Sequence, residues 1–238
     1  MRSQLKVISF SGIDGAGKTT QIEALRDYLR ELGFRSALYT FWDNVVVFSS
    51  FREHMSFKAF KGDKGIGSPD NPIVRRDKNV TSWYITAVRL FFYLLDTYSL
   101  RVAVSGSSDL DFIIFDRYIY DELANLPLHR PAVRFYVSLI LLLIPVPDIA
   151  FIVDADPEAA HRRKPEYPLE FVRKNREAYI ALSQVAQNIT VLAPLSPEET
   201  TSTIKESVKR RFLRADVASQ DLPLQCPAGV SQPIPPSA

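Results

Sequence analysis

Residues 12–19 read Gly12-Ile13-Asp14-Gly15-Ala16-Gly17-Lys18-Thr19, a complete G-x-x-x-x-G-K-[ST] pattern. Its flanks decide the fold. Before it, Leu5-Lys6-Val7-Ile8-Ser9-Phe10 is an apolar run of strand length. After it, Ile22, Leu25, Leu29 and Leu32 repeat at helical spacing up to Gly33, a helix C-cap. Strand, glycine loop and helix in that order make a phosphate-binding loop. Gly12, Gly15 and Gly17 lack Cβ atoms, so successive N–H groups can turn toward phosphate oxygens, and the positive end of the next helix adds to that field. Lys18 is positioned to reach the β- and γ-phosphates and the Thr19 hydroxyl to hold Mg²⁺. The nucleotide-binding set is Gly12, Asp14, Gly15, Ala16, Gly17, Lys18, Thr19 and Thr20.

The chain has 238 residues, enough for one substantial core. A net charge of +2 is too small to suggest an electrostatic nucleic-acid binder. Cys226 is the one cysteine, so no disulfide forms within the chain, which fits a reducing, cytoplasmic setting. His54, His129 and His161 show no metal-ligand spacing and read as surface residues. The N-terminal apolar run leads straight into the loop and predicts no secretory leader. Residues 132–147 are the one membrane-like stretch, but Arg134 and Ser138 interrupt it and Pro145 and Pro147 end it. The uninterrupted span is too short for a bilayer and predicts a buried helix feeding a strand.

Further strands are predicted at Ser36–Trp42, Leu110–Asp116, Asp148–Asp154 and Asn188–Ala193. Between Asp43 and Val80 lies a long irregular segment with seven basic residues from Arg52 to Lys78. Lys58, Lys61, Lys64, Arg75 and Arg76 either clamp an anionic substrate or form a solvated loop, and both readings stay open. A helix over Thr81–Val104 is predicted to bury Tyr84, Ala87, Val88, Phe91, Leu94, Leu95, Tyr98 and Val102. Asp96 and Arg101 in it need partners or an exit to water. Asp156-Pro157 caps another helix, Leu169–Gln187 forms the next, and Ser196-Pro197-Glu198-Glu199 is a capping box for a helix running to about Arg214.

Five strands alternating with helices predict an α/β chain with a five-stranded parallel sheet and helices on both faces, a P-loop NTPase fold. The P-loop domain is residues 1–214. Residues 215–238 are a proline-rich tail, uncharged from Leu222 onward and predicted to be disordered. In such a sheet ligands bind beyond the carboxyl ends of the strands, which sets Asp116 and Arg117 beside the loop. Asp116 then reads as a Mg²⁺ ligand and Arg117 as a clamp on phosphoryl oxygens.

Three stretches together resemble the thymidylate kinase family: Phe10-Ser11-Gly12 through Lys18-Thr19-Thr20-Gln21, Phe115-Asp116-Arg117-Tyr118, and Val153-Asp154-Ala155-Asp156-Pro157-Glu158. The resemblance spans roughly residues 5–213. It implies ATP and Mg²⁺ as cofactors, transfer to the 5′-phosphate of dTMP, Asp14 against the substrate sugar and Arg117 on the acceptor phosphate. It further implies a mobile lid that supplies Arg162 and Arg163, making Lys18, Asp116, Arg117, Arg162 and Arg163 the catalytic set. The implied partner is a small nucleotide, with no nucleic acid and no membrane, and a homodimer left open. The departures fall on the acceptor side. Ser11 stands where the family has Glu, Phe41-Trp42-Asp43-Asn44 lacks the acceptor-phosphate arginine, and Phe92–Asp96 and Ile119–Asn125 differ from the family's base-reading residues. Two rival readings therefore stay open: a kinase of another phosphate or hydroxyl acceptor, and a non-catalytic nucleotide-binding module.

Overall fold

The computed structural model describes residues 5–46, 83–124, 126, 128–186 and 188–213. The basic segment beyond Val46 and the tail lie outside them. In chain order the elements are β1 (Lys6–Ser11), α1 (Lys18–Glu31), β2 (Ser36–Thr40), α2 (Phe41–Asn44), α3 (Trp83–Ser105), β3 (Phe112–Asp116) and α4 (Ile119–Ala124). There follow α5 (Pro131–Leu143), β4 (Ile149–Val153), α6 (Pro157–Arg163), α7 (Leu169–Ser183), β5 (Ile189–Leu192) and α8 (Pro197–Val208), which runs into a π-helical turn (Lys209–Leu213).

The sheet is five-stranded and parallel, in the order β2-β3-β1-β4-β5. β1, which feeds the phosphate loop, is central and pairs with β3 on one side and β4 on the other. Alternation along the strands divides the core into two layers. Ile8, Phe10, Ile114 and Phe151 face Ile22, Leu25 and Leu29 of α1 and Ile204 and Val208 of α8. Val7, Ile113, Phe115 and Ile152 face the other way, toward α3, α4, α5 and α7. The α8 capping box forms as its sequence predicts, with the Ser196 side chain and Glu199 exchanging hydrogen bonds.

Three expectations need correction. β2 ends at Thr40 rather than Trp42, because Asn44 Oδ1 accepts the Thr40 N–H (2.7 Å) and draws Phe41 into a helical turn, where it is fully buried.

The apolar stripe assigned to the inside of α3 is mostly its outside: Val88, Phe91, Leu94, Tyr98 and Val102 are exposed, while Tyr93, Asp96, Thr97 and Leu100 are buried. This helix is apolar on more than one face, so tertiary contacts decide which face turns in. Tyr93 Oη donates to the Glu122 carboxylate of α4 (3.0 Å) and Thr97 Oγ1 to the Tyr93 carbonyl (2.7 Å).

Likewise α5 is only half buried. Val133, Val137 and Ile140 face the core, and Phe135, Leu139 and Leu142 are exposed. Arg101 finds its partner there, donating from Nε to the Leu143 carbonyl (2.6 Å) at the C-terminus of α5. Among the described residues, no helix is long and apolar enough to cross a membrane.

Candidate active site

The loop leaves β1 with Gly12 at φ +138° and turns again at Gly15 with φ +81°. Glycine is required at both for a reason beyond φ. A Cβ on Gly12 would stand 2.5 Å from the Val153 carbonyl oxygen, and one on Gly15 would stand 2.3 Å from that of Ala160. The loop backbone is therefore pressed against the end of β4 and the last turn of α6. Gly17, also left-handed, caps α1 and accepts the Gln21 N–H.

Lys18 is buried and folds back over the loop, its Nζ donating to the carbonyls of Gly12 and Ile13 (2.9 Å each). Burial, aided by the Arg117 charge, lowers its pKa to about 8. Thr19 and Thr20 are exposed on the first turn of α1, and Ala16 is half-buried.

β3 delivers the second half. Asp116 is level with Phe10 of β1 in the sheet register, and Arg117 donates its N–H to the Phe10 carbonyl (2.9 Å). Arg117 holds φ +67°, a conformation uncommon for a residue with a side chain, which costs on the order of 1 kcal/mol and persists where its surroundings over-determine it. One guanidinium nitrogen, Nη2, bonds the Asp14 carboxylate of the loop and the other, Nη1, bonds Asp121 Oδ1 (3.1 Å). Burial works against this charge. Asp121 foremost, then Tyr179, Asp14 and Asp116, outweighs it, so the Arg117 pKa stands above its ordinary value.

Lys18, Asp14, Asp116 and Arg117 thus converge at one end of the sheet. The Asp14 carboxylate, assigned to the sugar by resemblance, faces Arg117 in this state.

Among the described residues there is no cluster of three His, Cys, Asp or Glu able to hold a metal ion. Mg²⁺ keeps most of its waters and takes one or two protein oxygens plus phosphate oxygens. The candidates are the Thr19 hydroxyl and the Asp116 carboxylate, which lies near enough to influence Lys18 and Arg117 electrostatically.

Sequence reasoning missed the residue that ties this group together. Asp121, on the short helix α4, is buried and accepts four hydrogen bonds. These come from Ser11 Oγ (2.6 Å), the Tyr118 N–H (3.2 Å), Arg117 Nη1 (3.1 Å) and Tyr179 Oη (2.5 Å). The available signal was a carboxylate in an otherwise apolar turn, Ile119-Tyr120-Asp121, directly after Asp116-Arg117-Tyr118.

Arg162 and Arg163 are exposed on the last turn of α6, the helix whose Ala160 carbonyl lies against Gly15. Asp156 caps that helix through the Ala159 N–H (2.8 Å). Only residues 164–168 join α6 to α7. Arg173 of α7 reaches back to Glu158 of α6, and Arg176 makes a two-pronged ion pair with Asp154 at the end of β4 (2.6 and 2.7 Å). Tyr179, one turn on, reaches Asp121. Beside the loop, Gly12, Val153, Asp154, Arg176 and Tyr179 line a depression. His161 is half-buried rather than on the open surface, and its Nδ1 is enclosed.

No family model matches the chain. A probable thymidylate kinase of Pyrobaculum aerophilum is 34% identical over 106 residues, 41% of this chain and 54% of that protein's length. Thymidylate kinases of two Thermoanaerobacter strains are each 29% identical over 191 residues, covering 74% of this chain and 83% of theirs. The crystal structure of thymidylate kinase from Ehrlichia chaffeensis superimposes with a TM-score of 0.53, covering 86% of this chain and 98% of that one at 20% identity. The chain is similar to thymidylate kinases along most of its length. Its parallel sheet with flanking helices is the fold of the Ehrlichia thymidylate kinase, as the order of its sequence elements predicts.

Proposed function

We propose that the chain is a nucleoside monophosphate kinase of thymidylate kinase type, using ATP and Mg²⁺, with dTMP the first acceptor to test. The observation that carries this is the join between the halves of the site. Arg117 donates its backbone N–H to β1 and its guanidinium to Asp14 of the phosphate loop, so a group held by Arg117 is held against the triphosphate tail.

In the reaction an oxygen of the acceptor phosphate forms a bond to the γ-phosphorus of ATP. The bond to the β–γ bridging oxygen breaks, and ADP leaves with that electron pair. Lys18 exchanges its two carbonyl partners for phosphate oxygens. Arg117 orients the acceptor, and Arg162 and Arg163 of α6 supply charge to the equatorial oxygens. Thr19 and Asp116 would hold Mg²⁺, which neutralises charge on the β- and γ-oxygens. Catalysis rests on positioning and on charges fixed before the reaction, with no covalent intermediate.

A panel of nucleoside monophosphates with labelled ATP tests this: selective label transfer to dTMP supports it. No transfer to any member, together with tight ATP binding, replaces it by a nucleotide-binding module. One observation favours a second acceptor class. The turn after β2, Phe41–Asn44, carries no cation where an acceptor phosphate would be gripped, so phosphorylated metabolites and hydroxyl compounds belong in the same panel.

We assign the protein to the cytoplasm on its single cysteine, with residues 1–214 as the catalytic domain. We also assign it a homodimer. The exposed Val88, Phe91, Tyr98 and Val102 of α3 and Phe135, Leu139 and Leu142 of the adjoining α5 are uncharged, and a two-fold pairing sets like against like. Leu142→Glu should convert a sedimenting dimer to monomer; a wild-type chain that sediments as a monomer removes the assignment.

A further inference from the structure

Arg117 bridges the end of β3 to the phosphate loop, and its left-handed backbone gives it no regular secondary structure to lean on. What aims it is Asp121. One carboxylate oxygen, Oδ1, receives Arg117 Nη1 and Tyr179 Oη; the other, Oδ2, receives Ser11 Oγ and the Tyr118 N–H. Four donors from three places, the end of β1, the turn after β3 and α7, meet on one buried carboxylate. A carboxylate satisfied this fully is fixed in position, and a guanidinium held by it is fixed in turn.

We propose that Asp121 is a positioning residue for the acceptor side of the site, and that Tyr179 couples the aim of Arg117 to α7. This rests on the kinase reading above, in which Arg117 receives the acceptor. Asp121 itself touches no substrate. Its effect is to divide the work of Arg117: Asp121 keeps one nitrogen, while the nitrogen facing Asp14 is the one released to an incoming anion. Because Tyr179 and Arg176 lie on the same face of α7, a shift of that helix on nucleotide entry changes the restraint on Asp121 and so reaches Arg117.

The test compares Asp121→Asn, Tyr179→Phe and wild type in steady-state transfer, with KM for the acceptor and for ATP measured separately and ATP binding followed by calorimetry. Asp121→Asn keeps the shape and loses the charge. It should raise the acceptor KM or lower kcat by about tenfold to a hundredfold, with KM for ATP within about twofold. Tyr179→Phe should move the same constant in the same direction by less. Acceptor and ATP constants that worsen together, or that do not change, overturn the proposal, since a merely structural role predicts the first and no role the second. If Asp121→Asn fails to fold, Tyr179→Phe decides alone by the same criterion. A wild-type chain that transfers to no acceptor defeats the kinase reading itself and this role with it, an outcome the variants cannot mimic.

Discussion

At the phosphate loop, Gly12 and Gly15 press bare backbone against the Val153 and Ala160 carbonyls, and one side chain, Lys18, is folded over the result. Across the same end of the sheet, Ser11, Arg117, Asp121 and Tyr179 are joined side chain to side chain. In the proposed function the first half would hold a triphosphate by backbone geometry, and the second would position the acceptor through a hydrogen-bonded network. Under that reading the donor half can stay fixed while the acceptor half changes.

The largest effect expected from that contrast is Lys18→Ala, which should cost about 10²–10³-fold or more in turnover with every acceptor. Transfer to a single acceptor surviving at near wild-type rate would show the halves to be less separate than described. Next comes Gly15→Ala. Its Cβ has a backbone oxygen, not a flexible side chain, at 2.3 Å, and its φ is strained, so a loss of about 1–3 kcal/mol is expected. In a chain of this size that lowers Tm by several degrees and weakens ATP binding. An unchanged melting curve would mean the loop can move off α6.

The smallest is a proton. Burial holds the Lys18 pKa near 8, against 10.5 for the free side chain, so the unfolded chain binds the extra proton between those values. The contribution of Lys18 to stability therefore rises with pH from about 8 to 10.5. Phosphate oxygens favour the charged form, so ATP binding in that window takes up a proton and weakens as pH increases. Calorimetry at pH 9 in buffers of different ionisation enthalpy should show the uptake in wild type and not in Lys18→Ala; equal traces would place Lys18 away from the phosphates.

The same contrast explains what the sequence reveals. Glycines at fixed spacing, a strand before them and a helix after them are local, so the loop, the five strands and the position of Asp116 can be read directly. Asp121 has no such spacing. Its partners come from residues 11, 117, 118 and 179, and only the folded chain gathers them. The face of α3 is illegible for a related reason: Val88, Phe91 and Tyr98 repeat at helical period as well as Tyr93, Thr97 and Leu100 do, and apolar periodicity cannot say which row meets the core. Two rows of equal pattern become distinct only when α4 supplies a partner for Tyr93.

The short join between α6 and α7 constrains how charge can be brought to a bound phosphate. Residues 164–168 span at most roughly 17 Å when straightened, and Arg173, Arg176 and Tyr179 root the second helix to Glu158, Asp154 and Asp121. Under the proposed reaction, Arg162 and Arg163 sit on the last turn of a helix tied to α7 through Glu158 and Arg173, so bringing their charge to a phosphate would involve both helices.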